Sequence, residues 1–144
     1  MKQLIITLIC SLCFARYVNG EMLLNKAVVH HTATSDVSVE VIRKNHIEVN
    51  EWRDIGYHFL IRKDGTIEKG RDLNMKGAHA KGRNNWIGIA LTGYDEFTDE
   101  QYEALAKLSI ELKLNYLEPH HEECPGKGFS WVRLMEEQSK LNVK

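Results

Sequence analysis

Two histidines and a cysteine lie close together near the end of the chain, in the stretch HHEECPGKGF at 120–129. Imidazole nitrogen and thiolate sulfur are donors that Zn²⁺ prefers, and they are also the groups of a cysteine nucleophile with its histidine base. A second pair, His30 and His31, follows the hydrophobic residues AVV. Two histidines and one thiolate would leave one coordination position of a zinc ion open, which lowers the pKa of bound water to about 7.

Cys124 is the only cysteine outside the N-terminal segment, which contains Cys10 and Cys13. A disulfide is poorly supported, because both possible partners lie in a segment that a signal peptidase would remove. The remaining interpretations of Cys124 are a metal ligand, a nucleophile and an inert buried thiol. Pro125 follows it directly, so the thiol does not stand at a helix N-terminus, where a thiolate would be favoured. If the N-terminal segment is removed in an oxidising compartment, a lone thiol favours metal ligation.

The first twenty residues differ in composition from the rest of the chain. Lys2 precedes the apolar run LIITLICSLCFA, which has the length of a signal-peptide core and is too short to span a membrane comfortably. We predict a signal peptide at 1–20, one domain at 21–144, and a secreted or periplasmic protein without stable membrane association. A buried first strand or helix is the alternative for this segment.

The length of the chain predicts a single domain, and its charge argues against a nucleic-acid-binding protein. A chain of 144 residues can bury a core as one domain. A net charge of -1 and a pI near 6.7 give no electrostatic basis for nucleic-acid binding. We expect a monomer.

The elements that must position these residues alternate along the chain. We predict a strand in KAVVHHTAT, a hairpin around Asp64 and Gly65, a strand in WIGIALTG and a short extended segment in NYLEPHH. With the helical signals between and after them, the order is strand, helix, hairpin, strand, helix, strand, helix. The order predicts a single α/β domain with a mixed central β-sheet and helices packed on it.

Three helices are expected between and after these strands. The first begins near Asp36 or Ser38, and the last begins near Ser130. The second begins at a capping box formed by Thr98 and Gln101. The apolar positions are Val39, Ile42, His46 and Val49 in the first helix, and Tyr102, Leu105, Leu108 and Leu112 in the second. This spacing favours a core histidine at position 46.

Five blocks of the sequence together resemble the zinc-dependent N-acetylmuramoyl-L-alanine amidases of the type 2 family. These blocks are VVHHTAT, IGYHFLIRKDGTIEKGRD, GAHAKGRNNWIGIALTG, FTDEQYEAL and CPGKGFSW. That family includes phage lysozyme-like amidases and is related to the peptidoglycan recognition proteins. The resemblance implies a Zn²⁺-dependent hydrolase that cleaves the amide between N-acetylmuramic acid and L-alanine in peptidoglycan. A non-catalytic peptidoglycan-binding module and a cytoplasmic phage endolysin are the alternatives for function and localisation.

The resemblance also implies roles for individual residues. It gives His30, His120 and Cys124 as zinc ligands, with His121 as an alternative to His120. Tyr57 matches a tyrosine that assists catalysis. From the residues alone, we predict that His58 alternates with Tyr57 along a strand, so that the two face opposite sides. His79, Lys81 and Asn84 match a region that lines the substrate groove.

The chain departs from the family pattern just before Cys124. Family members have a longer loop between the second histidine and the cysteine, often with a lysine shortly before the thiol. Here only Glu122 and Glu123 separate the histidine pair from the thiol, and Lys127 stands after it. We expect the shortening to make it harder for a histidine and Cys124 to reach one ion.

Overall fold

The computed structural model describes residues 21–142. The predicted signal peptide at 1–20 lies outside these residues. The elements, in chain order, are β1 (Leu23–His31), α1 (Val39–Glu48), β2 (Phe59–Ile61), β3 (Ile67–Lys69), β4 (Trp86–Leu91), α2 (Asp99–Glu111), β5 (Tyr116–Pro119) and α3 (Trp131–Asn142). The order of strands and helices confirms the prediction. Within 21–142, no helix has both the length and the apolar character needed to cross a membrane.

The five strands form one mixed sheet in the order β3-β2-β4-β1-β5. Strands β2, β4, β1 and β5 are parallel, and the hairpin adds β3 in the antiparallel direction. The carboxyl ends of the parallel strands therefore meet at one edge, which is where such sheets place their ligands. At this edge Val29 pairs with Pro119, so the next residues, His30 and His120, are neighbours.

The two faces of the sheet bury different side chains. One face packs against α2 and α3 through a large apolar cluster that includes Val29, Ile89 and Leu105. The other face packs against α1 in a smaller cluster that includes Ile42 and Ala90. His30 pairs with Ala90 in the register of β1 and β4, so its side chain lies on the α1 face of the sheet.

Helix α2 is anchored to the sheet by its capping residues. The Thr98 hydroxyl accepts from the Gln101 backbone N–H at 3.1 Å, and the Gln101 side-chain oxygen accepts from the Thr98 N–H at 3.2 Å. This confirms the predicted capping box. The side-chain amide of the buried Gln101 also donates to the carbonyls of Ile61 and Thr92 at 3.1 and 2.9 Å. The cap therefore fixes α2 to the ends of β2 and β4.

Helix α1 begins where predicted, but its cap hydrogen bond and its C-terminal end differ from the prediction. Ser38 is its N-cap residue but makes no side-chain cap hydrogen bond. Instead, the carboxylate of Glu68 on β3 accepts from the Val39 N–H. Val49 was expected on the buried face, but the helix ends at Glu48 and Val49 is 69% exposed. A local pattern cannot reveal a cap that a distant strand supplies.

The hairpin around Asp64 and Gly65 is confirmed, with strands of only three residues each. Tyr57 and His58 precede β2 instead of lying within it. The prediction that they alternate along a strand is therefore wrong. Both side chains lie close to the histidines of β1 and of the loop before β4.

Candidate active site

Three side chains converge at the carboxyl edge of the sheet. The donor atoms of His30, His120 and Cys124 all lie within 4.8 Å of one another. The Sγ of Cys124 is 3.8 Å from Nδ1 of His30, and the ring centroids of His30 and His120 are 4.6 Å apart. Donors on a tetrahedral zinc ion would be about 3.5 Å apart, given zinc–ligand distances of 2.0–2.3 Å. The donor types and their spacing therefore fit one zinc ion with a coordination position left open.

The short loop before Cys124 brings the thiol back to the histidines. His121 and Cys124 form an antiparallel bridge, closed by the turn of Glu122 and Glu123. The expectation that the shortened loop hinders a shared ion is therefore wrong, because the turn reverses the chain beside His120. His121 itself is exposed, and its Nδ1 accepts from the Glu123 N–H at 3.2 Å.

His31 lies beside the cluster but does not belong to it. Its Nδ1 is buried and has no hydrogen-bond partner among residues 21–142. Burial lowers the pKa of its imidazole, and the carboxylate of Asp95 acts in the opposite direction. Of the two histidine pairs singled out in the sequence, each contributes one member to the cluster.

His79 lies behind His30, on the side away from Cys124. Its Nδ1 is 3.0 Å from Nε2 of His30, and its Nε2 is 3.0 Å from the carbonyl oxygen of Trp86. Both ring nitrogens are therefore engaged, and the side chain is buried. The ring packs so closely on Gly77 and Gly88 that a Cβ at either position would approach it within 2.4–2.5 Å. His79 was expected in the substrate groove, but its ring has no free nitrogen to offer a substrate.

Arg83 binds the end of β5, a role that sequence reasoning missed. Its guanidinium donates to the carbonyls of His120 and Pro119 at 2.7 and 3.2 Å and pairs with the Glu118 carboxylate. The backbone that carries one cluster histidine is thus tied to the loop before β4.

The other two residues expected in the groove occupy the same loop. Lys81 is exposed. The side-chain oxygen of Asn84 accepts from the N–H groups of His79 and Ala80 at 2.8 and 2.9 Å. Asn84 therefore shapes the loop, and only its side-chain NH₂ remains for other partners.

Tyr57 packs its ring against His30, with centroids 5.1 Å apart. Its hydroxyl makes no hydrogen bond within the described part of the chain. Burial, reinforced by Cys124, raises the pKa of Tyr57 to about 12. The phenol therefore stays protonated at neutral pH, as a hydrogen-bond donor beside the cluster.

The other two buried histidines are satisfied by the protein backbone. His46 lies on the buried face of α1, and its Nδ1 accepts from the Gly56 N–H at 3.0 Å, which confirms a core histidine. His58 accepts from the Gly88 N–H through Nδ1 at 2.9 Å, and its Nε2 donates to the Met75 carbonyl at 2.9 Å.

The protonation of the cluster favours ligation over nucleophilic cysteine chemistry. Burial, together with the neighbouring His79 and His120, lowers the pKa of His30 to about 2. Burial also raises the pKa of the Cys124 thiol. A cysteine nucleophile needs the opposite shifts, because its active form is a thiolate beside a protonated imidazole. Two neutral imidazoles and a thiol that loses its proton on binding form a suitable ligand set.

A cavity of about 330 Å³ opens at the same edge of the sheet, beyond the ends of β1 and β4. Its lining residues come from the loops after these strands and from the hairpin: Thr34, Ser35, Lys63, Gly93, Tyr94, Asp95 and Glu96. A second cavity, of about 370 Å³, lies beside β2 and β3, and neither cavity is lined by any of the three cluster residues. The first has the position expected for a ligand of a parallel sheet.

Comparisons with known proteins agree with this arrangement. The profile of a family described as N-acetylmuramoyl-L-alanine amidase matches residues 21–127. An endolysin of Klebsiella phage KP32 is 43% identical over 106 residues, which cover 65% of this chain and 70% of the relative.

Two solved structures extend the likeness to the whole fold. One is the N-acetylmuramoyl-L-alanine amidase LysC from Clostridium intestinale URNW, which is 38% identical with a TM-score of 0.72 over 88% of this chain and 89% of that one. The other is peptidoglycan recognition protein-LE in complex with tracheal cytotoxin, a monomeric diaminopimelic acid-type peptidoglycan. It is 26% identical with a TM-score of 0.66 over 83% of this chain and 82% of that one. The chain belongs to the N-acetylmuramoyl-L-alanine amidase family and is an enzyme with that activity.

Proposed function

We propose that this enzyme hydrolyses the amide between N-acetylmuramic acid and L-alanine in peptidoglycan with zinc as its cofactor. His30, His120 and Cys124 would hold the ion, and the observation that carries this proposal is the convergence of their donor atoms within 4.8 Å. When bound, zinc would polarise the scissile carbonyl and lower the pKa of water, so that a nucleophile is available at neutral pH.

Side chains of the protein have the protonation states that zinc binding and hydrolysis require. The neutral His30 presents Nδ1 toward Cys124, while its Nε2 faces His79. Tyr57 keeps its proton and its hydroxyl has no partner within the described residues, so it can donate to the oxyanion that develops on the substrate carbonyl. One well-placed donor of this kind typically contributes about 10²–10³ in rate.

The substrate contacts are proposals of the same kind. Lys81 is exposed on the loop before β4, and the side-chain NH₂ of Asn84 remains available there. The cavity lined by Lys63 and Tyr94 offers room for part of the peptide stem. His79 is better explained as a support for His30 than as a substrate contact.

A peptidoglycan-binding module without catalysis is the second candidate, and the likeness to peptidoglycan recognition protein-LE favours it. A binding module needs neither a three-donor cluster nor a phenol ring packed beside it. The retention of both in this chain supports hydrolysis.

Two localisations follow from the two readings of the N-terminal segment. Residues 1–20 as a signal peptide would give a secreted or periplasmic enzyme. The likeness to a phage endolysin supports the cytoplasmic alternative. N-terminal sequencing separates them, because export would leave a chain that begins at about residues 16–21, whereas the alternative would retain Met1.

The chemistry of the cleavage products tests the proposed function. Purified peptidoglycan digested with the enzyme should gain new N-terminal alanine amines in step with the loss of turbidity, without new reducing sugar ends. Cys124→Ser protein at the same concentration is the control, and it should produce neither new alanine amines nor a loss of turbidity. New reducing ends without alanine amines would contradict an amidase, and binding to the wall without any release would indicate the binding module.

A further inference from the structure

The loop at 77–85, which we call the support loop, contacts both histidines of the cluster. Its His79 meets the ring of His30, and its Arg83 meets the backbone of His120. Neither residue is a candidate metal ligand, because neither is part of the three-donor cluster. One continuous segment therefore reaches two strands that are adjacent in the sheet but distant in sequence.

The contact between the two rings determines which nitrogen of His30 faces Cys124. The carbonyl oxygen of Trp86 can only accept, so Nε2 of His79, 3.0 Å away, carries the proton. The neutral His79 then accepts through Nδ1, and the His30 nitrogen 3.0 Å from it, Nε2, is the donor. The remaining nitrogen of His30, Nδ1, keeps its lone pair and lies 3.8 Å from Sγ of Cys124. The chain of donors thus leaves His30 in the tautomer that a metal requires.

Arg83 positions the second histidine, His120, through its backbone. Bidentate hydrogen bonds to two consecutive carbonyls fix the direction in which β5 ends. The pair with Glu118, two residues earlier on the same strand, holds the guanidinium in place. The side chain of His120 follows from that backbone direction, so Arg83 sets its position without touching the ring.

The support loop is itself braced, so the two contacts are coupled. Asn84 accepts from the N–H groups of His79 and Ala80 through its side chain, and its carbonyl accepts from the Gly77 N–H at 2.8 Å. Gly77 and Gly88 leave space for the His79 ring that no other residue would leave. The bond between Gly77 and Asn84 closes the segment that contains both His79 and Arg83, so the two side chains are held by the same loop.

We propose that the support loop is a positioning device for the metal site, in which His79 selects the ligating tautomer of His30 and Arg83 aims His120. This inference rests on the proposed zinc site. Partners of this kind orient metal ligands, and their loss typically lowers metal affinity about 10–100-fold.

The test is the zinc dissociation constant of folded variants, measured by competition with a chromophoric chelator. His79→Phe removes the acceptor at similar volume, and Arg83→Met removes the guanidinium while keeping an unbranched side chain. Each should weaken zinc binding about 10–100-fold, and His79→Gln, which restores an acceptor, should recover part of the loss. Cobalt substituted for zinc should keep its sulfur charge-transfer band in these variants, because Cys124 remains, while its ligand-field bands shift.

Matched controls separate this role from general destabilisation. Arg71 also donates to backbone carbonyls, those of Ile55 and Lys76, but to none of the cluster. His46 is a buried, hydrogen-bonded histidine outside the cluster. Arg71→Met and His46→Phe should leave the zinc dissociation constant unchanged.

Zinc binding by His79→Phe and Arg83→Met as tight as in these controls would overturn the inference while leaving the proposed zinc site intact. If His79→Phe does not fold, Arg83→Met, at a side chain that is 26% exposed, and the conservative His79→Gln carry the same comparison. A wild-type chain that takes up no zinc would overturn the proposed function instead.

Discussion

The backbones of His121 and Cys124 pair with each other across a two-residue turn, with N···O distances of 3.2 and 3.0 Å. Successive side chains of an extended chain point to opposite sides. His120 therefore faces His30, whereas His121 is exposed and bonds to the Glu123 N–H. The three residues between His120 and Cys124 are thus sufficient to bring the thiol back to the cluster.

This pairing predicts different roles in zinc binding for His120 and His121. His120→Ala should weaken zinc binding by more than the roughly 10–100-fold that loss of a supporting residue costs, because it removes a donor. His121→Ala should bind zinc as the wild type does. The measurement is the zinc dissociation constant of each variant, with folding checked by circular dichroism. The reverse order of effects would show that His121 is the ligand.

Tyr57→Phe should reduce kcat on a soluble muropeptide about 10²–10³-fold, since it removes one donor to the developing oxyanion. Zinc content should not change, because the hydroxyl is not part of the three-donor cluster. KM should change little, because the interaction forms mainly in the transition state.

Lys127→Ala is the matched control for this substitution. Lys127 lies exposed in the turn after Cys124, and its backbone N–H is held by the Asp95 carboxylate at 3.1 Å. We expect kcat close to that of the wild type, so Lys127 does not replace the lysine that family members often have before the thiol. Equal, near-wild-type activity in both variants would remove Tyr57 from the mechanism.

The thiol of Cys124 should react slowly with iodoacetamide in the metal-free enzyme. The side chain is only 6% exposed and burial raises its pKa, so both access to the sulfur and the thiolate fraction are reduced. Alkylation measured by mass spectrometry on the peptide that carries Cys124 should therefore be slower than in that peptide when free. Alkylation faster than the free peptide would favour a nucleophilic cysteine.

Asp36 should stabilise the fold above about pH 4 and lose this effect in acid. Its carboxylate accepts from Arg62, from the Thr92 hydroxyl at 2.7 Å and from the Lys63 N–H at 3.1 Å. The bond from Arg62 is the largest cause that lowers the pKa of Asp36 from its ordinary value of 3.8. Because the folded pKa lies below the unfolded one, the stabilisation is present above the unfolded value and falls away as the pH drops below it.

Asp36→Asn should therefore cost about 1 kcal/mol at pH 7, a modest value because the side chain is 36% exposed. Urea unfolding of both proteins between pH 7 and about pH 3 should show this difference shrinking. Glu48→Gln, which changes an exposed helix pair with Lys44, should cost less than about 0.5 kcal/mol. A difference for Asp36→Asn that stays constant across the range would contradict the assignment.

Much of this fold could be predicted because local signals determine it. The Thr98–Gln101 capping box and the Asp64-Gly65 turn each depend on residues that are neighbours in sequence. The site was harder, because its supports join distant segments. His79 bonds across 49 positions to His30, and Arg83 across 37 positions to His120. Only the sheet order brings these residues together, and a periodic pattern does not contain that order.

The closure of the loop before Cys124 was mispredicted for a related reason. Its length suggested that the thiol would be held away from His120, but the turn formed by Glu122 and Glu123 reverses the chain. Gly77 and Gly88 did carry a signal that sequence reasoning passed over. Each lacks a side chain where the ring of His79 must pack.

The central claim, that zinc held by His30, His120 and Cys124 makes this chain a peptidoglycan amidase, is tested most directly by titrating zinc into metal-free enzyme. Release of N-terminal alanine from a soluble muropeptide should be absent without metal, rise in proportion to added zinc and level off at about one zinc per chain, as expected for a single three-ligand site. Cys124→Ser should not recover under the same titration. Full activity in the metal-free enzyme, or in Cys124→Ser, would contradict the account.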